Sequence, residues 1–129
     1  MAPEDLLVVT NNPLVRTQID IETCWIEGDC QEVIRQVYNR VAMGHLLVSH
    51  PLAGSIKPNQ NPYKSILITK ITGEVDMEGL KLTENCLRKA EELMENKIRI
   101  DLHAAYEYDL QLVDQGLIRS ALQSIQESR

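Results

Sequence analysis

The sequence contains no phenylalanine; one tryptophan and four tyrosines are its only aromatic residues. So few rings argue against the stacking platform by which single-stranded nucleic acid is held. No apolar run approaches the ~18 residues that a bilayer span needs. The opening residues, Met1-Ala2-Pro3-Glu4-Asp5, lack the basic stretch and long apolar segment of a secretory signal. Three cysteines, Cys24, Cys30 and Cys86, form no CxxC pair, and an odd number suits reduced thiols better than a disulfide framework. These absences set the expectation of a cytoplasmic protein with neither nucleic acid nor membrane as partner. The glycine patterns of dinucleotide and phosphate loops are missing, as is the GxSxG elbow. The three histidines do not group at metal-ligand spacing, so no metal and no cofactor is expected.

One absence is local. From Val33 through Gly73 there is no Asp or Glu, while Arg35, Arg40, Lys57, Lys64 and Lys70 stand in that window. The net charge of -6 therefore divides into +5 there and -11 elsewhere. The acidic sum disfavours long polyanions. The window is expected to make one face positive toward small anions, unless its lysines are merely scattered in solvent.

What is present is ordinary in amount. At 129 residues, 43% hydrophobic and 25% charged, the chain reads as a single α/β domain, 1–129, with enough length for one core. Leu6-Leu7-Val8-Val9-Thr10 is a continuous apolar run, the mark of a strand covered on both faces. Asn12-Pro13 reads as a helix cap followed by proline at the first helical position, with the helix reaching about Ile19. Thr23-Cys24-Trp25-Ile26 is a second strand. Cys30, Val33, Ile34, Val37, Tyr38, Val41 and Ala42 form a helical stripe, opened by Asp29 with Glu32 and closed by Gly44. Leu46–Ser49 and Ser65–Thr69 are expected as third and fourth strands. Helices follow over about Met77–Glu95 and Ala104–Gln126, the last with Leu110, Val113, Leu117, Ala121, Leu122 and Ile125 inward. The order implies a layered fold: a mostly parallel sheet of about four strands, flanking helices and a helical C-terminal third. The long connection before Ser65 fits either a crossover or a wide hairpin.

Two places are candidates for chemistry. The turn Thr10-Asn11-Asn12-Pro13 follows a strand and opens a helix, where anions meet unpaired N–H groups. It also reads as a plain helix cap. The segment His50–Lys64 holds Pro51, Pro58 and Pro62, so few helical patterns survive there, and long irregular connections are often functional. Within it, Gly54 and Ser55 allow close backbone approach, Asn59 offers hydrogen bonds, Tyr63 a hydroxyl, and Lys57 and Lys64 charge for a phosphate or carboxylate. His50 follows a strand directly and can tune such a site with pH. The alternative is a rigid surface loop whose polar groups satisfy local backbone. Asp101-Leu102-His103 specifies no metal site, and the cysteines read as core packing before nucleophiles.

The residues Val8-Val9-Thr10-Asn11-Asn12-Pro13, then Gly44 through Asn59 (Gly-His-Leu-Leu-Val-Ser-His-Pro-Leu-Ala-Gly-Ser-Ile-Lys-Pro-Asn), then Pro62-Tyr63-Lys64-Ser65, resemble the GrdX family. These small proteins are encoded with the glycine, sarcosine or betaine reductase systems of amino-acid-fermenting anaerobes. The resemblance implies a cytosolic accessory of that pathway and supplies no catalytic residues. Three readings follow. The preferred one is a non-catalytic accessory with a small-anion pocket built from Asn11, Asn12, His50, Gly54, Ser55, Lys57, Asn59, Tyr63 and Lys64. The second is a small phosphoryl- or acyl-transfer enzyme with His50 as general base. The third is an assembly subunit docking on a reductase component through its acidic helices.

Overall fold

Leu6–Thr10 is the middle strand (β1) of the sheet, and all five residues are buried, as a strand covered on both faces must be. The computed structural model describes residues 2–51, 61–95 and 103–127. After a single 3-10 turn at Pro3–Asp5 and then β1, the order is α1 (Pro13–Gln18), β2 (Glu22–Trp25), α2 (Cys30–Ala42), β3 (Ser65–Thr69), α3 (Met77–Glu95) and α4 (His103–Glu127). The sheet order is β2-β1-β3. β2 lies parallel to β1, with Val9 opposite Cys24, and β3 lies antiparallel, with Val9 opposite Ile66.

Local signals account for most of these elements. The Asn12 side chain accepts the Leu14 N–H, and proline follows at the first helical position of α1. Asp29 accepts the Glu32 N–H at the start of α2, and Cys30, Val33, Ile34, Val37 and Val41 are buried along its inner stripe. Alternation along β1 and β3 divides the core. Leu7, Val9, Ile66 and Ile68 pack with α2 and with Cys86 and Ala90 of α3. Val8 and Leu67 face the other way, onto Val15, Ile19 and Ile118 of α4. Ile34 is fully enclosed. Ile34→Val is expected to cost about 1 kcal/mol in chemical denaturation, the loss of one packed methylene; an unchanged midpoint would place Ile34 outside the core.

The mixed α/β class is as read, but the sheet differs. Among the described residues it has three strands, one parallel pair and one antiparallel pair, rather than about four mostly parallel ones. The expected third strand, Leu46–Ser49, makes only an isolated antiparallel bridge, Leu47 to Ile68. Side-chain hydroxyls interrupt its ladder: Ser49 Oγ takes the Leu67 N–H at 2.8 Å, and Thr69 Oγ1 takes the Leu46 N–H at 2.8 Å. This segment meets β3 antiparallel, as β1 does, and residues 52–60 between them lie outside the described residues.

The inner face of α4 is also rotated from the expected stripe. Val113 and Leu117 are 41% and 36% exposed, whereas Asp114, Gln115 and Ile118 are buried. A polar pair on the inner stripe hides the helical period.

Candidate functional site

An antiparallel β3 begins where β1 ends. The Asn11-Asn12 turn and residues 61–64, the described end of the second candidate segment, therefore meet at one end of the sheet. Asn11 holds the junction: its Nδ2 donates to Gly28 O at 2.9 Å and Pro62 O at 2.8 Å, and its Oδ1 accepts the Lys64 N–H at 2.9 Å. Asn12 caps α1 and donates through Nδ2 to Gln111 O and Asp114 Oδ2, each at 2.9 Å. Both amide hydrogens of each Asn are thus used inside the protein, so neither amide has a donor left for a ligand.

A second layer of polar groups lies beneath the turn. Ser65 Oγ donates to Asp114 Oδ2 at 2.7 Å and lies 2.7 Å from Thr10 Oγ1, which accepts the Asn12 N–H at 3.0 Å. Thr10, Asn12, Ser65 and Asp114 are all buried. Burial raises the Asp114 carboxyl above its usual range, against the hydrogen bonds from Asn12 and Ser65 and the charge of Lys64, which lower it.

Lys64 is the unusual member. Its side chain lies in a residue only 8% exposed, and it takes part in none of the ion pairs among the described residues. Burial lowers its pKa; Asp114 opposes this most, with smaller contributions from Cys30 and Cys86. Lys64, Ser65, Asp114, Ser49 and His50 border one small cavity of about 20 Å³, closed by α4. That is room for about one water. His50 is exposed at its rim.

Tyr63 turns elsewhere: its hydroxyl donates to Glu107 Oε1 at 2.6 Å and accepts from Gln111 Nε2 at 3.0 Å. Burial and Glu107 raise its pKa. Gly54, Ser55, Lys57 and Asn59 lie outside the described residues, as do Asp101 and Leu102. The structure thus joins Asn11, Asn12, Lys64 and, across the cavity, His50. It brings in Thr10, which belongs to the candidate turn, and adds Ser49, Ser65 and Asp114, which were not among the expected site residues. Asp114 had one available signal: it stands four residues before Ile118 and so shares its helix face.

Three cations of the acid-free window are paired or buried among the described residues, and Lys57 lies outside them. Arg35 bonds Glu32 and reaches Glu91 at 3.8 Å, Lys70 pairs with Glu22 at 3.0 Å, and Lys64 is buried. The window spans both a helix and a strand, whose side chains leave in different directions. Cys30 and Cys86 are buried, and burial pushes Cys30 to about 11, which keeps the thiol protonated. Among the described residues no group of His, Cys, Asp and Glu is placed to hold a metal, and no helix is long and apolar enough to cross a membrane.

Compared with known proteins, residues 7–123 match a family model described as GrdX-like protein. No curated protein and no solved structure matches the chain.

Proposed function

The chain belongs to the GrdX-like family, and from that premise we propose that it is a non-catalytic accessory protein of the glycine, sarcosine or betaine reductase system, binding a small phosphate- or carboxylate-type anion beside Lys64. The observation that carries this reading is the buried Lys64 side chain with no ion pair among the described residues. A buried ammonium is costly without a counter-charge close by. Its nearest opposing charge, Asp114, is itself pushed toward the neutral form by burial. A cation and a carboxyl with opposite shifts, bordering one cavity, are the pattern of a site rather than of a plain core. Ser49 at the rim supplies a further hydroxyl. Asn11 and Asn12 enter this reading as the scaffold that fixes Lys64; the cavity itself holds about one water, so the anion would sit at its mouth with one oxygen directed toward Lys64 and Ser49.

Calorimetry with inorganic sulfate and phosphate tests the site. Sulfate is the cleaner probe because its charge is constant across neutral pH. A lowered Lys64 pKa means the cation is lost as pH rises, and a raised Asp114 pKa means the carboxyl repels more as pH rises. Sulfate is therefore expected to bind more tightly at pH 6 than at pH 9. Lys64→Met is expected to weaken it at least tenfold, roughly the 1.4 kcal/mol of one charge-assisted hydrogen bond. Absence of binding by either anion, or equal binding by Lys64→Met, removes the pocket from the reading.

A further inference from the structure

At the opposite end of β3, two glycines bring distant loops together. Gly73 N–H donates to Gly44 O at 3.0 Å, which joins the end of α2 to the segment leading into α3. Beside this junction runs an open groove of about 380 Å³, bordered by Leu46 and Ile71 and by the acids Asp5 and Glu74. Around Thr69 its backbone groups are paired: Thr69 N–H donates to Leu46 O, and Thr69 Oγ1 accepts from Leu46 N–H and donates to Ile71 O at 3.0 Å. What it offers a visitor is therefore apolar surface and negative charge.

Both are plentiful. Ile71 is 74% exposed, and Met43, Leu46, Val75 and Met77 are also exposed around the junction. Single exposed apolar residues need no explanation, but Leu46 and Ile71 border one groove and the other three stand within three residues of its lining in sequence, a concentration of the kind that marks protein contacts. Glu74 and Glu78 are exposed between and beside them, and neither takes part in the ion pairs of the described residues. The neighbouring cation Lys70 is occupied by Glu22.

We propose that this groove docks a segment of another protein in which a lysine or arginine adjoins a bulky apolar side chain. Charge chooses this occupant. A second copy meeting the same face about a two-fold axis would set Asp5, Glu74 and Glu78 against their own like, which is costly at an interface. An anionic lipid surface would be repelled for the same reason. A basic and apolar segment covers the patch and neutralises the rim together. This surface is separate from the Lys64 cavity, so either proposal can fail alone.

The test is fluorescence anisotropy with the full chain and a labelled hexapeptide alternating leucine and arginine. Its counterparts carry glutamate for arginine or serine for leucine. The expected result is binding of the leucine-arginine peptide alone, weakened at least tenfold by Glu74→Lys and by Ile71→Ser. Glu92→Lys, the same charge change on the exposed side of α3, is expected to leave binding within twofold. Both groove positions are exposed, so unchanged melting curves will show that the variants are folded. Equal binding of the basic and acidic peptides, equal weakening by Glu92→Lys, or a wild-type dimer abolished by Ile71→Ser would overturn the proposal.

Discussion

Asp114→Ala is expected to destabilise the protein by about 3–5 kcal/mol, the range for removing one partner of a buried charged network. The reason is who depends on Asp114. Its Oδ2 accepts from both Asn12 Nδ2 and Ser65 Oγ, and all three residues are buried. Truncation leaves an amide hydrogen and a hydroxyl without their acceptor, at about 1–3 kcal/mol for each unsatisfied group. It also removes the leading counter-charge of Lys64. For a chain of this length the melting temperature should fall by roughly 10–15 °C. Asp114→Asn separates the two causes, because its oxygen can still accept both hydrogen bonds. At neutral pH it should cost about a third as much.

The pH dependence of that pair has a definite sign. The folded pKa of Asp114 is raised, so the folded state binds its proton more tightly than the unfolded chain does. The stability this contributes is fully present below the ordinary carboxyl pKa and is lost as pH rises through the raised value. Wild type should therefore gain on Asp114→Asn as pH falls and lose that advantage toward neutrality, when melting temperatures of the two are compared at each pH. A constant difference would mean that Asp114 does not titrate within the network.

The reach of the sequence follows the range of the forces involved. β1, the Asn12 cap, the α2 stripe and the bounds of α3 rest on neighbours within a turn or a strand, and they are legible. The direction of β3 is not local. It depends on whether residues 43–64 cross over the sheet or fold back beside it, and composition cannot choose. The fate of Leu46–Ser49 turns on two hydroxyls, Ser49 and Thr69, that capture backbone partners from twenty residues away. Asp114 was hidden for a different reason: a helix that buries Asp114 and Gln115 among Ile118 and Leu122 has a weak apolar period. The Asn11-Asn12 turn is legible in the sequence because it lies between a strand and a proline-led helix. The amides of Asn11 and Asn12 brace that turn, and the buried cation beside it, in no ion pair among the described residues, belongs to Lys64.

Gly44→Ala should cost at least as much as the loss of Asp114, although it adds only a methyl group. Gly44 sits at φ +108°, a conformation that L residues rarely adopt and that costs on the order of 1–3 kcal/mol for a non-glycine. A Cβ built there would lie 2.2 Å from Gly73 O and 3.1 Å from Gly73 N. Both atoms are backbone, so no rotamer change relieves the overlap, and the Gly73-to-Gly44 hydrogen bond must break. That bond ties the end of α2 to the entry of α3, and these two helices cover one face of the sheet. A total of about 3–6 kcal/mol is expected, read by urea denaturation. Gly73→Ala is the control from the same junction: a Cβ there meets nothing within 4 Å, and the change should stay within about 0.5 kcal/mol. The two substitutions share composition, place and size, so the positive φ and the close backbone approach at Gly44 are what separate them. If they cost the same, the junction is not built on that approach. If they differ as expected, Gly44→Ala should also abolish capture of the leucine-arginine peptide, because Gly44 and Gly73 form one wall of its groove.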